Sequence, residues 1–435
     1  MRSNDPPVLM VQRVSDWFVQ KWNENRIPFL SALIFAFLAH TFSFTNKLIN
    51  HDEVYSLFSK GATVVSGRWG LGALDSVFPN VSMPWIYGVI TIVLLAISVC
   101  FLVSILRIRC KWMQVLTAGL VLTFPSLTGT FGYLFTSSSY GVAFLLAVGS
   151  VWLLQNRSGR YWLGAILCMV LSLSIYQSYI SLTAAILVLV LIRQLLEGED
   201  VAAVFRRGIA YVLFLILSLG LYFGLTQLIL GLKHVQMGSY AADSLTFNLR
   251  SLPGNIAYAY RCFFLNFRED ALGLIPTAFS RKIHLLLMVC AAILLMLRVR
   301  TMRRNAASWL LMAGLIGVFP LAVNCMYLFT APESIHTLVQ LRLRVSAGAG
   351  AGRRRAGEAR CRKMGGIWQT WGAEHSGATV GGDYLCQYLY RQRLLSEPAS
   401  ALRKRLCFLH LPDCGCKAVA GVYGGHKAGR HRHLG

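Results

Sequence analysis

From about Ile27 to Thr330 the chain alternates long apolar runs with short charged connections, a pattern of spans rather than of amphipathic faces. A helix needs roughly 20 apolar residues to cross a hydrocarbon core of about 30 Å. Runs near that length cover Ile27–Thr45, Pro84–Leu106, Gly208–Leu232 and Ser308–Thr330, and a shorter one covers Ile283–Leu297. Trp112 to Asn156 carries no charge and is too long for one span. Phe124-Pro125-Ser126 and Thr136-Ser137-Ser138-Ser139 interrupt it, which predicts two spans with a short outer turn. Tyr161–Ile192 is also uncharged over 32 residues; as one helix it would run about 48 Å, well beyond the core. Read as a hairpin instead, it leaves Arg193, Arg206, Arg207, Arg298, Arg300, Arg303 and Arg304 on the inner side, as the positive-inside tendency asks. Its polar tip, Ser174 to Ser181 with Tyr176, Gln177 and Tyr179, then has to face protein or water rather than lipid.

The result is an all-α polytopic membrane protein of about nine transmembrane helices. Two long polar stretches, 46–83 and 233–282, fall on the same outer face. Residues 1–26, with Arg2, Arg13, Lys21 and Arg26 among Trp17, Phe18 and Trp22, predict a cytoplasmic amphipathic helix on the inner membrane surface. The first apolar run has no small-residue cleavage site after it and reads as a signal anchor.

Composition agrees with this class. The 435 residues are 55% hydrophobic and only 14% charged, whereas soluble domains carry about a quarter charged residues. The net charge of +24 is uneven. Up to Thr330 there are 25 of the 42 Lys and Arg and 12 of the 18 Asp and Glu; the last 105 residues hold the other 17 and 6. The first surplus sits at span ends, which excludes nucleic acid as the partner it serves. The second belongs to a basic Gly-, Arg- and Cys-rich tail, 331–435, with no span-length run and no sustained periodicity beyond about Gln340. The switch from Leu341 onward is abrupt and has no linker, which predicts either a shifted reading frame or a disordered basic tail. A frame-shifted chain would lack its later spans and be inactive. None of the six Cys before Thr330 forms a C-x-x-C pair, and the 11 in all read as small buried or tail residues. His410 with Cys414 and Cys416 does not make a metal site, and no metal ligand set is predicted.

Candidate chemistry concentrates in the first polar stretch. Asn50-His51-Asp52-Glu53 follows the first span, and Lys60 and Ser66-Gly67-Arg68-Trp69 come after it. Adjacent carboxylates can serve as a general base and as the ligand of a divalent cation, or one can raise the other's pKa. They lie where a lipid-linked phosphate would sit, and Arg68 and Lys60 could neutralise it. The plainer reading is that charges end a span and solvate a loop. A lone His51 lacks the further ligands that a metal site needs. The second stretch adds Arg250, Tyr258, Tyr260, Arg261, Arg268, Glu269 and Asp270. Aromatic and basic residues together suit sugar stacking with anion contacts, and equally an interfacial helix with an aromatic belt.

The entry Asn50–Phe58 (NHDEVYSLF), then Gly67–Gly70 (GRWG) and Met83–Ile90 (MPWIYGVI), resembles the bacterial and phage O-antigen glucosyltransferase family, the serotype-converting type II glucosyl transferases. The resemblance covers roughly residues 29–330 and implies a GT-C-like membrane glycosyltransferase. It implies an undecaprenyl-phosphate-linked sugar as donor and an O-antigen polysaccharide of lipopolysaccharide as acceptor. The two would be joined at the periplasmic face of the bacterial inner membrane. By the same resemblance Asp52 and Glu53 occupy the catalytic acid position, and His51 stands where an acidic or neutral residue is expected, so either acid could be the base. Arg68 matches the arginine of the GRW turn, with Lys60, Trp69, Arg250, Arg261 and Arg268 as substrate-binding candidates. No cofactor is demanded beyond a divalent cation that the acids could hold. The competing class is a transporter or lipid-linked-sugar flippase without chemistry. Such proteins place ionisable residues within spans and show repeated halves or broken helices. Here the spans are nearly charge-free and no internal repeat is visible, which favours an enzyme.

Overall fold

A computed structural model describes residues 7–46, 51–56, 63–78, 83–155, 159–238, 250–265, parts of 282–296, and 306–329. The chain divides into two units, 1–345 and 346–435, and the described residues all belong to the first. They form helices and no strand: α1 (Pro7–Thr45), α2 (His51–Ser56), α3 (Trp69–Leu74), α4 (Pro84–Ile105), α5 (Lys111–Leu122), α6 (Pro125–Gly132), α7 (Leu134–Leu154), α8 (Gly159–Ile175), α9 (Tyr179–Glu197), α10 (Val201–Leu232), α11 (Leu252–Leu265) and α12 (Ala306–Val323), followed by a 3-10 turn at Cys325–Leu328. Six are long and apolar enough to cross a membrane: α1 from Val19, α4, α7, α9, α10 and α12. The apolar α8 is shorter, at 17 residues. The fold is that of a polytopic membrane protein. The expected span Ile283–Leu297 lies partly outside the described residues, and the tail 331–435 lies wholly outside them.

Three features differ from the sequence reading. The N-terminal amphipathic segment and the first span are one 39-residue helix, with Pro28 inside it. Asn25 lies beside Cys100, its carbonyl 3.8 Å from the thiol. Because 18 residues of α1 precede Asn25 but only five of α4 follow Cys100, α1 runs on past the end of α4. Second, the run Trp112–Asn156 does not break at the serine cluster. It breaks at Phe124-Pro125, where Pro begins α6, and again at Tyr133. Thr136, Ser137, Ser138 and Ser139 are all buried inside α7. Thr136 and Ser137 donate back to the Tyr133 and Leu134 carbonyls at 3.2 and 2.8 Å, and Ser138 reaches the Tyr87 carbonyl of α4 at 3.4 Å, so the polarity is absorbed without ending the helix. Ser137 also meets Thr91 of α4 at 3.0 Å. Third, α5 has only 12 residues and extends about 18 Å, too short to cross alone. His40 of α1 is buried and stacks on Phe131 of α6. Its Nε2–H donates to the Leu122 carbonyl at 2.8 Å, so α1 caps the C-terminus of α5.

The uncharged stretch Tyr161–Ile192 is two helices, α8 and α9, and the break at 176–178 falls within the polar tip. Two apolar cores hold the helices. One joins α1, α4, α5, α6 and the start of α7; the other joins the end of α7 with α8, α9, α10 and α12. The helices pack as neighbours in the pairs α4–α7, α7–α8, α1–α4 and α9–α12.

One end of the bundle is charged. Glu197 at the end of α9 accepts from Arg107, after α4, at 3.1 Å and from Arg193 at 2.7 Å. Gly198, at φ +98°, reverses the chain, Glu199 pairs with Arg207, and Asp200 caps α10 through the Ala203 N–H at 3.0 Å. The opposite end receives the polar segments that follow α1 and α10.

Candidate functional site

At that opposite end, residues 63–67 form a turn that leads into α3. The Gly67 N–H donates to Val64 at 3.0 Å and the Arg68 N–H to Thr63 at 2.7 Å, with Gly67 at φ +74°. A side chain at Gly67 would be strained by that φ, and its Cβ would lie 2.6 Å from the Tyr222 hydroxyl. The turn is fastened to the bundle by neutral groups. Gln177, in the break between α8 and α9, donates through Nε2 to the Ser66 carbonyl at 3.1 Å and to the Tyr222 hydroxyl at 2.9 Å. Because the Ser66 carbonyl can only accept, it fixes which way the amide faces. The Tyr222 hydroxyl of α10 donates in turn to the Gly67 carbonyl at 2.9 Å. Four residues further along α10, Thr226 accepts from the Trp69 indole N–H at 3.1 Å and donates to the Tyr222 carbonyl at 2.7 Å. Gln177 Nε2, the Tyr222 and Thr226 hydroxyls and the Trp69 indole N–H each have an acceptor in this hydrogen-bond network, as buried polar groups require.

Arg68 sits between these fastenings. Its guanidinium carbon lies 5.1 Å from the centre of the Tyr176 ring, a cation–π arrangement. Tyr176 is itself buried against Tyr140, with centroids 5.0 Å apart, and against Tyr179 at 5.7 Å. Burial holds the Tyr176 phenol well above its ordinary pKa, against the opposing pull of the Arg68 charge, so the ring stays neutral. α3 then presses onto the end of α8. A Cβ on Gly70 would lie 3.0 Å from the Ser174 Cβ and 3.1 Å from its backbone carbon, and Leu71 packs with Tyr140, Ile175 and Tyr176. The second polar segment joins the same place, where the Gly238 N–H donates to the Val65 carbonyl at 2.9 Å.

The remaining sequence candidates separate. Asp52 and Glu53 share the short helix α2, but Asp52 is exposed whereas Glu53 is 3% exposed. Arg250 is exposed just ahead of α11, and Arg261 is exposed on its outer side. Tyr258 and Tyr260 are committed to docking α11 on α12 and the 3-10 turn. The Tyr258 ring meets Tyr327 edge-on at 5.2 Å, and the Tyr260 hydroxyl donates to Gly317 at 2.7 Å. Asn324 adds a hydrogen bond to the Ala259 carbonyl at 2.9 Å. Lys60 and Arg268 lie outside the described residues. Among the described residues no three His, Cys, Asp or Glu side chains converge as a metal site would need.

Sequence reading missed Tyr222 and Thr226. Their i, i+4 spacing in an apolar helix was the available signal, and it marks one polar stripe facing protein. Tyr176 and Gln177 stand out in the sequence as a polar tip, but nothing there names the turn they hold.

Residues 41–349 match the family described as Glucosyl transferase GtrII. No curated protein and no solved structure matches the chain.

Proposed function

The chain belongs to the glucosyl transferase GtrII family, and from that premise we propose that it moves glucose from a polyprenyl-phosphate donor to an O-antigen acceptor on lipopolysaccharide, at the periplasmic face of the bacterial inner membrane. The family match over residues 41–349 carries the glucosyl transfer. The donor, acceptor and face rest on the resemblance of the Asn50–Phe58 entry and the Gly67–Gly70 turn. That both polar segments act at one face is supported by the Gly238–Val65 bond at the end of the bundle away from the Arg107–Glu197 cluster.

In this reading a carboxylate of α2 takes the proton of an acceptor hydroxyl as its oxygen attacks the anomeric carbon. The bond from that carbon to the phosphate oxygen breaks, and the lipid phosphate leaves with the electron pair. Asp52, being exposed, is open to the acceptor, and the buried Glu53 is held on the protein side. Arg68 stabilises the charge that grows on the leaving phosphate, with Arg250, Arg261, Arg268 and Lys60 drawing the anionic donor to this face.

The test is transfer of labelled glucose from polyprenyl-phosphate glucose to O-antigen in membranes that contain the chain. Transfer by the parent and none by the Asp52→Asn, Glu53→Gln double variant is the expected result. Undiminished transfer by both single variants and by the double variant would rule out the carboxylate mechanism.

A further inference from the structure

We infer that Gln177 is a positioning residue for Arg68, acting through the backbone of the Ser66–Gly67 turn with Tyr222 as its relay; this rests on the role proposed for Arg68 above. Two neighbouring residues in the α8–α9 break hold the two halves of the arginine. Tyr176 lies under the guanidinium, and Gln177 grips the chain just before the arginine's own peptide unit. Tyr222 extends that grip to the Gly67 carbonyl, and the Trp69–Thr226 bond fixes the residue on the other side. Arg68 is thus bracketed in sequence by Gly67 and Trp69, both bonded to α10.

The arrangement matters because arginine has a long, freely rotating side chain. Holding it for a developing phosphate charge requires that its conformational freedom be lost before the reaction. At Gly67 the backbone sits at φ +74°, and the turn's own bonds, Gly67 N–H to Val64 and Arg68 N–H to Thr63, close it on itself without tying it to the bundle. Gln177 supplies that tie. Its two N–H donors reach two acceptors on different elements, so one side chain couples the turn to α10. No charged group takes part in the coupling, so the clamp adds no competing charge next to a phosphate.

The full-length chain in its membrane is tested with Gln177→Met, which keeps length and shape but removes both donors, and with Tyr222→Phe. Hydrogen exchange should rise about tenfold over residues 63–70, the scale of one or two lost hydrogen bonds, with the other helices unchanged. Phenylglyoxal should label Arg68 faster in both variants. In transfer assays kcat should fall about tenfold with KM for donor and acceptor held within about twofold, the signature of an interaction used in the transition state. In an Arg68→Lys background the same substitutions should add little further loss.

Unchanged exchange at residues 63–70 would overturn the inference. So would parent kcat in Gln177→Met, or losses that multiply fully with that of Arg68→Lys. A rise in exchange throughout α8, α9 and α10, with a falling melting temperature, would reduce Gln177 to a packing residue. If Arg68→Ala transfers glucose as well as the parent, the proposed role of Arg68 fails instead, and exchange and labelling still report whether the clamp exists.

Discussion

The two ends of the bundle are held by different chemistry. At one, Arg107, Arg193 and Arg207 are spent on Glu197 and Glu199, and Asp200 caps α10. At the other, the turn that carries Arg68 is held by an amide, a phenol, a hydroxyl and an indole. At the first end the Arg107–Glu197 pair is open to solvent, with the Arg107 side chain at 60%, where water and salt screen it, while Arg193 is tucked in at 11%. The second is buried among Tyr140, Tyr176 and Tyr222, where a neutral hydrogen bond keeps more of its strength and a lost partner costs more. Charge fastens one end and neutral hydrogen bonds the other. Under the mechanism proposed above, the neutral fastening leaves no fixed charge to compete with Arg68 for a phosphate.

The comparison breaks most visibly if the carboxylates are removed. The double variant Asp52→Asn, Glu53→Gln should lose roughly 10²- to 10⁴-fold in transfer rate, the range for a general base. Assayed singly, Asp52→Asn should be the more damaging, and a larger loss from Glu53→Gln would assign proton removal to the buried acid instead. Next in size, Arg68→Ala should lower kcat on the order of 10²- to 10³-fold, and Arg68→Lys should retain part of it because a lysine keeps the charge without the planar fork. Equal rates for the lysine and alanine variants would show that charge at this position is not what counts. A smaller effect is expected on stability from Gly70→Ala. The new methyl meets Ser174 side chain and backbone, and overpacking of this kind costs roughly 1–3 kcal/mol. Thermal melting of the purified protein would detect it, and an unchanged midpoint would show that α3 can lift from α8. The smallest belongs to the opposite end. Glu197→Gln removes pairs with two arginines, yet exposed pairs are each worth about 0–1 kcal/mol, and transfer should match the parent. A large loss of transfer there would mean that the two ends are not independent.

What could be read from the sequence followed from local rules. Length and charge-free runs located the six described helices that can cross a membrane, against about nine expected, and the excess length of Tyr161–Ile192 together with the arginines on either side located the α8–α9 break. Thr136 to Ser139 misled because composition cannot distinguish a hydroxyl that ends a helix from one that bonds back to the preceding turn. The join between the N-terminal segment and the first span was misplaced for a similar reason. Arg26 to Pro28 looks like a boundary, but the helix continues through it. At the site, Arg68 and Trp69 were legible as a motif, whereas their hold on Gln177 and Tyr222 was not. Gln177 and Tyr222 are 45 residues apart and meet only after α8, α9 and α10 have packed, so no periodicity records the contact. The acid pair was visible as a pair, but only burial separated Glu53 from Asp52.

The histidine that caps α5 has a consequence for how the chain enters the membrane. A helix of 12 residues leaves its last carbonyls at a depth where lipid supplies no donor. The donor for Leu122 comes from His40, on a helix synthesised some eighty residues earlier. The chain thus makes the donor before the carbonyl it serves, and without α1 the end of α5 would keep a carbonyl that no described neighbour satisfies.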